Sequence, residues 1–171
     1  MKKTIPILAV IVAFILGLCS CNDADGGKTG LRDITWGMTR TEVRKAESAE
    51  LVGYDDAFLR FYDTDKSQPI VEIGVNTNNA VDLLYYFDSK DKLFKIEYKF
   101  SSTKINEDYY KLLKSLMIDK YGKPYKEDAA DENNEYNKVT SWKKGKSDIT
   151  LIYYNPDGSL KTFYVTFLPN N

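Results

Sequence analysis

Histidine is absent from all 171 residues, and the two cysteines, Cys19 and Cys21, both fall within the first 21. The first absence removes the Ser-His-Asp and Cys-His constellations of nucleophilic catalysis, together with histidine-rich zinc sites. The second leaves residues 22–171 without a thiol, so no disulfide can brace the rest of the chain even in an oxidising compartment. Charge of one sign is lacking too: 24 Lys and Arg stand against 25 Asp and Glu, and no basic stripe gathers. Phosphate backbones are held by clustered Lys and Arg, so nucleic acid is not an expected partner. What is plentiful is aromatic surface, 13 Tyr and 8 Phe, enough to build a core by packing alone. A chain of this length buries roughly two thirds of its unfolded surface, as one domain or two small modules.

Met1-Lys2-Lys3 is followed by an apolar run from Ile5 to Leu18 and then Cys19-Ser20-Cys21. A positive start and an apolar stretch of roughly 7–15 residues ending in small residues mark a secretory signal. Leu18-Cys19-Ser20-Cys21 resembles the lipobox of bacterial prolipoproteins, which implies cleavage before Cys21 and lipidation of that cysteine. Loss of Lys2 and Lys3 then leaves 22 basic and 25 acidic residues, a formal charge of −3. The expected membrane partner is the bilayer itself, reached through the lipid. Asn22-Asp23-Ala24-Asp25-Gly26-Gly27-Lys28-Thr29-Gly30 is polar and Gly-rich and reads as a flexible tether. Asn22 after the lipidated cysteine resembles the enterobacterial sorting pattern for the outer membrane. The expected location is therefore the bacterial envelope, lipid-anchored at the outer membrane.

Beyond the tether, Thr39 with Glu42 has capping-box spacing and opens a short helix over 39–49. Strands are expected at 58–62, 70–75, 81–87 and 93–100, the last alternating Phe94, Ile96, Tyr98 and Phe100 with Lys95, Glu97 and Lys99. Asn106 caps a second helix to Tyr121, with Tyr109, Leu112, Leu113, Leu116 and Met117 as its apolar stripe, and Gly122 and Pro124 stop it. Strands follow at 138–143, 149–154 and 160–167, with Asn155-Pro156-Asp157-Gly158-Ser159 as the last hairpin turn. An offset of 67 residues lays Leu84 on Leu151, Tyr86 on Tyr153, Ile96 on Phe163 and Phe100 on Phe167 without a gap. The expected fold is thus α+β: a tandem repeat of one helix plus a three- to four-stranded antiparallel meander, helices packed on one face of the sheets. The corresponding divisions are a signal peptide at 1–20, lipidated Cys and tether at 21–32, and repeats at 33–102 and 103–171.

Trp36-Gly37-Met38-Thr39-Arg40-Thr41-Glu42-Val43 resembles the Gly-Met-Thr-x-x-x-Val helix start of small outer-membrane lipoproteins of the SmpA/OmlA type, and Tyr121-Gly122-Lys123-Pro124 their Leu-Gly-x-Pro helix stop. In those modules both signatures sit on one helical unit, whereas here they fall on different repeats. The doubled layout resembles the architecture of secreted β-lactamase inhibitor proteins. These resemblances imply an accessory protein that binds another protein in the envelope.

Catalytic patterns are poor. Ser101-Ser102-Thr103-Lys104 and Lys28-Thr29-Gly30 match two motifs of penicillin-binding proteins, but in reversed order and without the S-D-N element. Asp55-Asp56 and Asp63 with Asp65 offer carboxylates, yet the stretch from Asp63 lacks the glycine and the position-twelve glutamate of a calcium loop. The acidic run Glu127 to Glu135 reads as a solvated loop. No cofactor, metal or catalytic residue is expected. Strand alternation sends Tyr85 and Tyr86, or Tyr153 and Tyr154, to opposite faces, so some tyrosines must lie outside a helix-covered core. The expected contact residues are Tyr85, Trp142, Tyr153 and Tyr154, on a non-enzymatic, protein-binding lipoprotein. A module for a small envelope ligand, a glycan or a lipid, is the alternative.

Overall fold

A computed structural model describes residues 27–71, 81–102, 105–128, 138–154 and 161–170. One antiparallel sheet of eight strands dominates them: β1 (Glu50–Tyr54), β2 (Phe58–Asp63), β3 (Val81–Phe87), β4 (Leu93–Ser102), β5 (Lys126–Asp128), β6 (Lys138–Lys144), β7 (Ser147–Tyr154) and β8 (Lys161–Pro169). Their spatial order is β1-β2-β3-β4-β8-β7-β6-β5. Strands β4 and β8 pair from Ile96↔Phe167 to Ser102↔Lys161, so the sheet runs unbroken across the middle of the chain. Among the described residues the helices α1 (Arg40–Ala46) and α2 (Glu107–Tyr121) accompany it, with one further helical turn at 69–71.

The tandem helix-plus-meander reading is therefore corrected to a β-rich fold built on a single sheet. Helix α1 is seven residues long and buries only Val43, too little to form a layer of its own. Helix α2 packs on the β6 side of the sheet and buries Tyr110, Leu113 and Met117, leaving Leu112 46 % exposed. Further cover comes from the segment Gly27 to Met38, where Leu31 and Ile34 are fully buried, and from Gln68 to Ile70, which line a hollow with Tyr98 of β4 and Val165 and Phe167 of β8. Thr29 is also fully buried, and Trp36 N–H donates to the Gly27 carbonyl. The expected tether thus already belongs to the folded body by Gly27.

Local chemistry set the ends of elements as expected. Thr39 Oγ1 accepts from Glu42 N–H while Glu42 Oε2 accepts from Thr39 N–H at 2.7 Å, a complete capping box. Asn106 Oδ1 caps α2 by accepting from Asp108 and Tyr109 N–H. Gly122 ends α2 at φ +86°, a conformation that costs a side chain but not glycine.

Three strand readings change. Glu50–Tyr54 is a strand that interrupted patterning around Gly53 hides. Residues 69–71 are helical rather than extended, and 72–75 lie outside the described residues, as does the turn 155–159. A register shift between Tyr86 and Phe87 pairs Phe87 with Leu93, so Leu93 is buried and Phe94 is 42 % exposed.

That shift also breaks the gap-free superposition. Carried over 67 residues, Ile96, Tyr98 and Phe100 of the covered face meet Phe163, Val165 and Phe167 of the covered face. In β3 the covered set is Val81, Leu83, Tyr85 and Phe87, whereas in β7 it is Ser147, Ile149, Leu151 and Tyr153. Leu84 and Tyr86 consequently oppose Leu151 and Tyr153 in facing, because a one-residue slip turns every side chain of a strand over.

Candidate functional site

Beneath the N-terminal segment lies a buried polar cluster. Arg32, at φ +49°, reaches with Nη1 to Glu47 and with Nη2 to Asp63 Oδ2 at 2.5 Å, both carboxylates being almost wholly buried. Tyr85 Oη donates to Glu47 Oε2 at 2.5 Å and Tyr98 Oη to Asp63 Oδ2 at 2.7 Å. Burial first, and then the adjoining carboxylate, pushes each phenol well above its ordinary value. Asp65 stands at the rim, 3.8 Å from Arg32 Nε, and Lys120 Nζ donates to Gln68 Oε1 at 2.7 Å. Every charge here has a protein partner, which makes the cluster a fastening between the N-terminal segment, the end of α1 and β2. Asp63 and Asp65 are thereby engaged with a guanidinium, and no group of three metal-ligating side chains occurs among the described residues.

Beside the cluster, Gln68, Pro69, Ile70, Tyr98, Met117, Tyr121, Val165 and Phe167 line an apolar hollow of about 10 Å³, close to the least space that holds one water.

The other face of the sheet has no helix laid on it among the described elements. Register places Arg60 and Tyr62 of β2, Asp82, Leu84 and Tyr86 of β3, Lys95, Glu97 and Lys99 of β4, Tyr164 and Thr166 of β8, and Ile152 and Tyr154 of β7 on it. At its centre Lys95 Nζ lies 4.4 Å from the Tyr86 ring centroid and 2.7 Å from Glu97 Oε2. Tyr86 Oη donates to Glu97 Oε1 at 3.3 Å, and burial together with that carboxylate lifts the phenol to about 12. Lys99 Nζ stands 5.9 Å over Tyr164. Further out, Arg60 grips Asp82 through two 2.9 Å bonds and lies 5.7 Å from the Tyr62 ring. Half-buried rings alternating with both signs of charge make a surface able to give apolar area and directional polar contacts together.

The expected contact residues divide between the faces. Tyr85, Trp142 and Tyr153 are at most 5 % exposed on the covered side, where Trp142 Nε1 donates to the Gly122 carbonyl at 2.8 Å and Tyr153 packs on Tyr110 and Phe163. Tyr154 alone of the four lies half-buried on the open side. Tyr86 and Tyr164 are on that side as well, and strand alternation carried the signal for them once the facing of each strand was known. Cys21 precedes the described residues. Ser101 and Ser102 close β4, and Lys28-Thr29-Gly30 belongs to the folded N-terminal segment.

No helix among the described residues is long and apolar enough to cross a membrane. No curated protein and no solved structure matches the chain. The profile of the TP0088 domain matches residues 29–167, from the buried Thr29 of the N-terminal segment to Phe167 of β8. Most of the 171 residues, the sheet up to Phe167 included, fall inside it, and the chain belongs to the TP0088 domain family.

Proposed function

We propose that this protein is a lipid-anchored lipoprotein of the bacterial envelope, non-enzymatic, whose open sheet face binds another envelope protein. The signal sequence and Cys21 motivate the anchor. The observation that supports the binding role is the asymmetry of the sheet: one face is filled by the segment Gly27 to Met38, α1 and α2, while the other carries Tyr86, Tyr154 and Tyr164 among Lys95, Glu97 and Lys99. The alternative, a small glycan or lipid ligand, would need a larger cavity than the water-sized hollow beside Tyr98.

The test is cross-linking from the open face in intact cells, followed by competition. A partner captured by the native protein is expected to be lost from a Lys99→Glu, Tyr154→Ala variant and kept by Lys111→Glu, a control on the exposed side of α2. Equal capture by all three proteins, or none by the native one, would remove the open face as the binding site.

A further inference from the structure

Gly27, where the described residues start, is separated from Cys21 by only five residues. Covalent length alone limits the span from Cys21 to Gly27 to at most about 20 Å. Whatever surrounds Gly27 is therefore held against the lipid surface if Cys21 is acylated.

Five lysines gather near Gly27, against the two acids Asp23 and Asp25 of the stretch that precedes it. Trp36 N–H donates to the Gly27 carbonyl at 2.6 Å, and the same residue's Nε1 donates to the Lys146 carbonyl at 3.1 Å. Ser147 Oγ donates to the Thr29 carbonyl at 2.7 Å. These bonds fix the start of the body to the β6–β7 hairpin, whose tip is Lys143-Lys144-Gly145-Lys146. Lys28 adjoins it from the N-terminal segment. Lys123 adjoins it from the α2–β5 connection, where Tyr125 N–H donates to the Ser141 carbonyl. All five lysines are exposed, and none forms an ion pair among the described residues. Asp148, opposite Lys143, is half-buried. Two exposed apolar side chains share this end: Tyr125, 58 % exposed with Lys143 Nζ 5.4 Å from its ring, and Leu168, 41 % exposed.

We infer that the β6–β7 hairpin tip, with Lys28 and Lys123, docks onto the anionic headgroups of the membrane to which Cys21 tethers the chain. The inference rests on the lipoprotein reading above. One acyl chain alone gives marginal attachment and a basic patch supplies a second signal; here the patch would chiefly set orientation, standing the strands on end over the bilayer. Lysines within a Debye length of such a surface each favour the docked state about five-fold. Four or five of them raise it on the order of 100-fold or more between neutral and anionic membranes.

The experiment uses the full acylated protein, its Cys21 lipid checked by mass spectrometry, on phosphatidylcholine vesicles with and without phosphatidylglycerol. Lysine acetylation rates are read residue by residue. Anionic lipid is expected to slow Lys28, Lys123, Lys143, Lys144 and Lys146 at least about 10-fold and to leave Lys66 and Lys111 unchanged. A Lys143→Glu, Lys144→Glu, Lys146→Glu variant should lose that protection at Lys28 and Lys123 while remaining on the vesicles. Equal rates on both vesicles in protein with acylated Cys21 would overturn the docking while sparing the lipoprotein reading. An unmodified Cys21 in protein isolated from its own envelope would overturn both, since the short tether is what places the patch. Protection by polyglutamate but not by anionic lipid would transfer the patch to an acidic protein and overturn the lipid assignment.

Discussion

Arg32 and Asp63, 31 positions apart, meet at 2.5 Å in a site where Asp63 is 1 % exposed. Neither charge is stable there alone. Glu47 occupies the second arm of the guanidinium, and the two phenols of Tyr85 and Tyr98 complete the carboxylates. Removing the arginine strands two buried negative charges, whereas removing all three charges strands none. Arg32→Met is expected to lower unfolding free energy by about 3–5 kcal/mol. The triple variant Arg32→Met, Glu47→Gln, Asp63→Asn should recover most of that loss. Urea unfolding midpoints of the two proteins check it.

The same cluster sets alkaline stability. Tyr85 and Tyr98 are held protonated by burial and by Glu47 and Asp63, and Tyr86 titrates at about 12. A group whose folded pKa is raised contributes stability that is fully present below its unfolded value, near 10, and lost as pH climbs through the folded value. Stability should therefore be flat below about pH 9 and fall between about pH 10 and 12. Denaturant midpoints against pH, with phenolate absorbance followed alongside, read this directly. Tyr98→Phe should cost about 1–3 kcal/mol at neutral pH, because Asp63 loses a buried donor, and should shrink the alkaline decline.

Gly122 and Gly53 offer a controlled comparison. A Cβ would meet nothing within 4 Å at either position, but only Gly122 has positive φ, +86°, with ψ at −166°. Gly122→Ala should then cost about 1–3 kcal/mol from the backbone alone, and Gly53→Ala far less. Thermal unfolding of both variants separates conformational strain from steric crowding.

Thr39 closes α1 by a reciprocal pair of bonds with Glu42, and the helix has only Val43 to bury. Thr39→Ala should cost about 1 kcal/mol, and amide exchange should show α1 opening before the sheet does.

Local chemistry was legible in the sequence to a good resolution. Both N-caps, the Gly122 stop and the strands 81–87, 138–144 and 147–154 follow from spacing and residue type within a few positions of each other. Less legible were features that depend on a partner far along the chain. Nothing near Arg32 announces its ion pairs, because its partners Glu47 and Asp63 come later and from different elements. The stretch Lys28-Thr29-Gly30 is polar and Gly-rich like a tether, yet Thr29 Oγ1 bonds the Leu31 and Ile34 carbonyls and its own carbonyl receives Ser147. Tyr85, Trp142 and Tyr153 were expected on a contact surface and lie in the core; alternation told that neighbours separate but not which of each pair is covered.

By itself the sequence determined the signal-like start, the absence of thiol and histidine chemistry beyond residue 21, the helix caps, and the pairwise separation of adjacent tyrosines. Each of these is set within a few residues by bonded neighbours or by the strand period. Only tertiary structure decided that two meanders join through β4 and β8 into one sheet, which face of each strand is covered, and that Gly27 is fastened beside the lysine tip of β6–β7. Those outcomes depend on register and on long-range hydrogen bonds such as Trp36 to Lys146, and a slip of one residue would reverse them without altering any local preference.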